Sequence, residues 1–140
     1  MKNQLLLLIS LAAFFQFNLC NAQGNKDTKT NASLQSEMVE VYYFHFTRRC
    51  ETCMAVENES RKAVEELYAN ALEEGRIIFQ SLNLEEEEGK QIADKLNISS
   101  QTLLVVKLGE KTDLTRQGFM YARTDPEKLK KALQDAIGKI

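Results

Sequence analysis

Two cysteines three positions apart, Cys50 and Cys53, are the residues best suited to chemistry in this 140-residue chain. Placed on one helical turn, their sulfurs are close enough to join. A bridge across so short a loop removes little entropy from the unfolded chain, so a purely structural disulfide is a weak reason for the pair. A redox or ligand role explains it better. Arg48 and Arg49 precede the pair and would favour a thiolate, as would a helix N-terminus at the same place. Glu51, between the cysteines, pulls the other way. The exposed end of such a turn belongs to Cys50, the expected attacking thiolate, and Cys53 is the expected resolving thiol.

Composition narrows the alternatives. The chain is 44% hydrophobic and 27% charged, with a net charge of −2, one His, one Pro and no Trp. It lacks the basic excess that tracks phosphates, which excludes a nucleic-acid binder of the usual kind. A multi-histidine metal site is excluded as well. His45, the single histidine, falls on an apolar run and is read as a packed strand residue facing away from the cysteines.

The elements that must position the pair follow from periodicity. Residues 38–46 are β-branched and aromatic, a buried strand in which Tyr42 and Tyr43 pack the core and sheet face. Residues 47–49 make a loop, and about 50–74 a helix with an apolar stripe that Gly75 ends. A second strand is expected at 76–84 and a second helix at 85–96, with four consecutive Glu in its first turn complementing the helix dipole. Residues 102–108 form a third strand, 109–111 a turn, and 112–121 a fourth strand in which Phe119, Met120 and Tyr121 pack. Asp125 is the expected N-cap, and Pro126 the first residue, of a final helix reaching residue 140. The order β-α-β-α-β-β-α predicts an α/β fold with a four-stranded mixed sheet and helices on both faces.

Ahead of this domain (37–140) stands a different kind of sequence. Lys2 and the apolar run 5–17, too short to span a bilayer well, read as a signal peptide over 1–22, cleaved after Ala22. Cleavage before Cys20, with lipid on that cysteine, is the less favoured reading. Residues 23–36, polar throughout, read as a flexible leader. The mature chain would then be periplasmic or secreted, in a disulfide-permissive compartment, with no stable membrane span.

An apolar strand, the Cys50-Glu51-Thr52-Cys53 motif opening a helix, and this element order together resemble the thioredoxin-like proteins over about residues 38–140. The resemblance implies thiol-disulfide exchange with Cys50 as nucleophile. It implies partners that are protein thiols, protein disulfides or another redox protein, and no cofactor beyond the cysteine pair. It also implies a substrate groove beside Gln101 and Thr102. Three departures stand out. Gln101 occupies the place of the usual cis-proline, and a non-proline cis bond costs about 2.5–4 kcal/mol, so a trans bond is expected there. The buried Asp of thioredoxins proper is matched by Phe44. Glu51-Thr52 replaces Gly-Pro, and Arg49 replaces the preceding aromatic. Two other readings use the same residues: a metal-binding or metal-delivery protein holding Cu(I) or half a zinc site on the two thiolates, and a non-catalytic thioredoxin-fold binding module.

Overall fold

The computed structural model describes residues 38–140. The expected signal segment, the leader and Cys20 lie outside the described residues. Strand β1 (Val39–His45) is central in the four-stranded sheet, whose order is β2-β1-β3-β4. It pairs in parallel with β2 (Ile77–Asn83) and antiparallel with β3 (Thr102–Lys107). The edge strand β4 (Glu110–Asp113) pairs antiparallel with β3. Helix α1 (Glu51–Glu73) joins β1 to β2, and α2 (Glu87–Leu96) joins β2 to β3. Helices α3 (Thr115–Tyr121) and α4 (Pro126–Ile137) follow β4. Among the described residues, no helix is long and apolar enough to cross a membrane.

Alternation along β1 divides the core in two. Val39, Val41 and Tyr43 face α1 and α4, where they meet Val56, Val64, Leu129, Leu133 and Ile137. Tyr42 and Phe44 face the other way, packing with Leu82, Leu104 and Val106 against Ala93 of α2. Both faces of β1 are thus buried, which is why its sequence is apolar almost throughout. Each fully buried aliphatic side chain contributes about 1.5–3 kcal/mol by leaving water.

Local chemistry sets the ends. Gly75 (φ 69°) closes α1: its N–H reaches the Leu72 carbonyl at 3.1 Å, and the Arg76 N–H reaches that of Ala71 at 2.8 Å. The backbone leaves helical angles at Tyr68 (φ −135°, ψ 30°), whose hydroxyl donates to the Gly138 carbonyl at 3.0 Å.

Three boundaries differ from expectation. The hairpin turn is Leu108-Gly109 rather than 109–111: both residues have positive φ (53° and 80°), and Lys107 pairs with Glu110. A two-residue turn of that hand matches the twist of the strands it joins. The fourth strand stops at Asp113, and most of the segment assigned to it is α3. Leu114, Gly118 and Ala122, all buried and four apart, give the helical stripe that overrides an extended reading. Asp113 Oδ1 also accepts the Thr115 N–H at 2.8 Å. Phe119 and Met120 are consequently exposed rather than packed in a strand. The third boundary is the start of α2. Only Glu87 and Glu88 lie in its first turn, because Glu86 is the N-cap and the Glu85 carboxylate instead accepts the Thr47 N–H at 2.7 Å.

Candidate active site

Cys50 is the N-cap of α1, with extended backbone (φ −92°, ψ 166°). Its sulfur accepts the Cys53 N–H at 3.2 Å, one of the donors a helix start leaves without an intrahelical partner. The Cα atoms of Cys50 and Cys53 are 5.1 Å apart, and the sulfurs form a disulfide. The two cysteines are unequally placed: Cys50 is exposed, whereas Cys53 is 7% exposed.

The loop that delivers Cys50 is tied to the end of β2. The Leu84 N–H donates to the His45 carbonyl at 2.7 Å, and Asn83 Nδ2 donates to Thr47 Oγ1 at 2.9 Å. The Thr47 hydroxyl and N–H hold the Glu85 carboxyl below the usual range. Gly89 makes this junction compact. A Cβ there would lie 1.9 Å from the Asn83 carbonyl oxygen, so only glycine lets α2 sit on the strand end.

On the loop just before the pair, Arg49 donates to Glu57 and, through Nη2, to His45 Nε2 at 2.8 Å. His45 Nδ1 lies 3.0 Å from the Phe46 carbonyl. One tautomer, with the proton on Nδ1, satisfies both contacts. Arg61 binds the other Glu57 oxygen at 3.2 Å. Burial pushes the Glu57 carboxyl up, but the Ser81 hydroxyl beside it and the Arg49 and Arg61 guanidiniums outweigh burial and hold it below the usual carboxylate range. Glu51, in the first turn of α1, pairs with Arg123 at 3.3 Å.

Gln101 sits opposite. Its Oε1 is 3.7 Å from Cys53 Sγ, and its Nε2 donates to the Tyr43 hydroxyl. Peptide bonds among the described residues are all trans, Gln101 included. Thr102 is buried, with its hydroxyl donating to the Ser100 carbonyl at 2.9 Å.

The structure thus brings Cys50, Cys53 and Gln101 together, while the Arg49 side chain on the adjoining loop is held by Glu57 and His45. Arg48 is exposed on the same loop. The charge of Arg49 is shared with Glu57, a residue that sequence reasoning missed. Its spacing was the available sign, since Glu57 lies one helical turn beyond Cys53 on an inward-facing stripe. His45 also needs correcting. It does not face away but shares the α1 face of the sheet with Tyr43, because the two are separated by one strand period. Phe44, matched to a buried acid, points instead into the α2 side of the core. Among the described residues, no group of three or more His, Cys, Asp or Glu side chains is placed to hold a metal ion.

No family model and no curated protein matches this chain. Among solved structures it is similar to thioredoxin O2 from Arabidopsis thaliana in its oxidised state, with a TM-score of 0.52 and 18% identity over 79% of this chain and 89% of that one. Trxlp from Edwardsiella tarda has a TM-score of 0.48 and 16% identity over 76% of this chain and 92% of its own. Fasciola hepatica thioredoxin has a TM-score of 0.39 and 17% identity over 79% and 91%, respectively. The fold is thioredoxin-like. The cysteine pair lies where β1 leads into α1.

Proposed function

We propose that the protein is an exported thiol-disulfide oxidoreductase working through Cys50 and Cys53. The observation that carries this reading is the asymmetry of the pair: an exposed, N-capping Cys50 joined to a buried Cys53 one turn along. In the reduced protein, the Cys53 N–H and the positive end of α1 stabilise a thiolate on Cys50. Arg48 and the partly neutralised Arg49 add positive charge.

That thiolate attacks a partner disulfide. A bond forms from Cys50 Sγ to one partner sulfur, and the other partner sulfur leaves with the electron pair. Cys53, deprotonated, then attacks Cys50 Sγ and releases the first partner sulfur as thiolate. Two electrons have passed to the partner, and the Cys50–Cys53 disulfide remains. The reverse sequence oxidises a dithiol partner. No cofactor enters either direction. Protein thiols or another redox protein supply the second half-reaction, and the region beside Gln101 and Thr102 is the groove that receives them. Export rests on the sequence pattern of residues 1–22.

Cysteine variants test the assignment. Cys53→Ser should accumulate a mixed disulfide at Cys50 with a model disulfide peptide, whereas Cys50→Ser should form none at Cys53. Equal adduct at both positions would contradict the division of roles.

A further inference from the structure

The two sulfurs are given opposite kinds of hydrogen-bond partner. Cys50 Sγ faces a donor, the Cys53 N–H at 3.2 Å. Cys53 Sγ faces an acceptor, Gln101 Oε1 at 3.7 Å. In the disulfide Cys53 carries no proton, so this second contact becomes a hydrogen bond only on reduction. An acceptor serves a thiol and opposes a thiolate. We propose that Gln101 is a positioning residue for the resolving cysteine: its amide oxygen holds Cys53 as the protonated thiol once the disulfide has opened, and the Tyr43 hydroxyl keeps the amide turned that way.

Tyr43 is suited to this task. It is fully buried on β1, and Gln101 Nε2 donates to its hydroxyl. Burial pushes the Tyr43 phenol up, against the lowering effect of the Gln101 contact, so it stays neutral; its oxygen accepts from Gln101 Nε2. With Nε2 engaged there, Oε1 is the amide atom left to face the sulfur. The usual proline at this position has no side-chain polar atom, so no such contact could form.

The consequence for exchange rests on the function proposed above. A partner thiolate attacks Cys50 Sγ. The Cys50–Cys53 bond breaks, and the electron pair leaves on Cys53 Sγ. That thiolate takes a proton from water, hydroxide passes to the solvent, and the resulting S–H hydrogen-bonds to Gln101 Oε1. While the proton stays, Cys53 cannot attack the new mixed disulfide. Gln101 therefore sets how long a partner remains joined to Cys50.

Ionisation of Cys53 can be read without any exchange. In the full chain carrying Cys50→Ser, iodoacetamide alkylation of Cys53 is followed against pH, with peptide mass spectrometry separating it from Cys20. Adding either Tyr43→Phe or Gln101→Ala should raise the near-neutral rate roughly threefold, the scale of one weak neutral hydrogen bond. The ratio should close to one in alkali, where every thiol is ionised. A change in access alone would give a ratio independent of pH and would overturn the proposal. So would a response confined to Gln101→Ala, because Tyr43→Phe removes the anchor without removing the packing. If these ratios hold while the wild-type pair fails to exchange with any disulfide, the oxidoreductase reading falls and the role of Gln101 stands.

Discussion

Arg49 and Glu57 are bound to each other across the base of the cysteine turn, the arginine from the loop and the carboxylate from the second turn of α1. Their side chains are 27% and 13% exposed, so the pair is shielded from much of the solvent. Glu57 is held below the usual carboxylate range in the folded chain. A depressed carboxyl stabilises the fold at pH values above its unfolded pKa. That contribution fades as pH falls through the lower, folded value. Glu57→Gln should therefore cost about 2 kcal/mol at neutral pH, the scale of a charge-assisted hydrogen bond. The difference from wild type should shrink steadily once pH drops below the ordinary carboxylate range. Urea denaturation at neutral and acid pH measures both points. A difference that does not change with pH would contradict the ion pair as its source.

The junction of β2 and α2 should tolerate no side chain at Gly89. The obstacle is a backbone carbonyl 1.9 Å from the added Cβ, and it cannot turn aside. Gly89→Ala should cost on the order of 3 kcal/mol, toward the upper end of ordinary substitutions. Gly118→Ala meets Val56 Cγ1 at 2.9 Å, a side-chain atom that can shift, and should cost only about 1 kcal/mol. Thermal melts of the two variants would check the order. Equal losses would contradict the distinction between backbone and side-chain obstacles.

Asn83 organises the loop that presents Cys50. It donates to Thr47 Oγ1 at 2.9 Å and to Glu86 at 3.0 Å, and its Oδ1 accepts the Glu85 N–H at 3.0 Å. Asn83→Ala should lower stability by about 1–2 kcal/mol, given a net worth of about 0.5–1.5 kcal/mol per bond and the exposure of these groups. Hydrogen exchange at the Thr47 amide should quicken more than exchange at amides in the middle of β1. Uniform quickening would mean that Asn83 supports the whole domain rather than this loop.

Much of this architecture can be read from residue order. The apolar run of β1, the helix opening at Cys50 and the alternation of strands and helices define the sheet, because period-2 and period-3.6 patterns are strong over long segments. Segment 112–121 reads as a strand in the sequence, yet mostly forms α3, for a physical reason. Its buried residues, Leu114, Gly118 and Ala122, include a glycine and an alanine, so the helical stripe carries little hydrophobic weight. Of the site, the closeness of Cys50 and Cys53 follows from their spacing, whereas Gln101 stands out only through the resemblance, at the place of the usual cis-proline. The contacts of Glu57 and Tyr43 are not legible in the sequence. They depend on which face of α1 and β1 meets the loop, and on side-chain reach across elements distant in sequence.

Cys50 and Cys53 should form a reversible redox couple. The protein is equilibrated with glutathione and with dithiothreitol over a range of redox ratios, and the intramolecular disulfide is quantified by thiol trapping. A single two-electron transition is expected, with a tenfold change in the equilibrium constant for every ~30 mV. The transition should disappear in Cys50→Ser and in Cys53→Ser. A pair that stays as two free thiols, or that yields only mixed disulfides with glutathione at every ratio, would contradict a reversible couple.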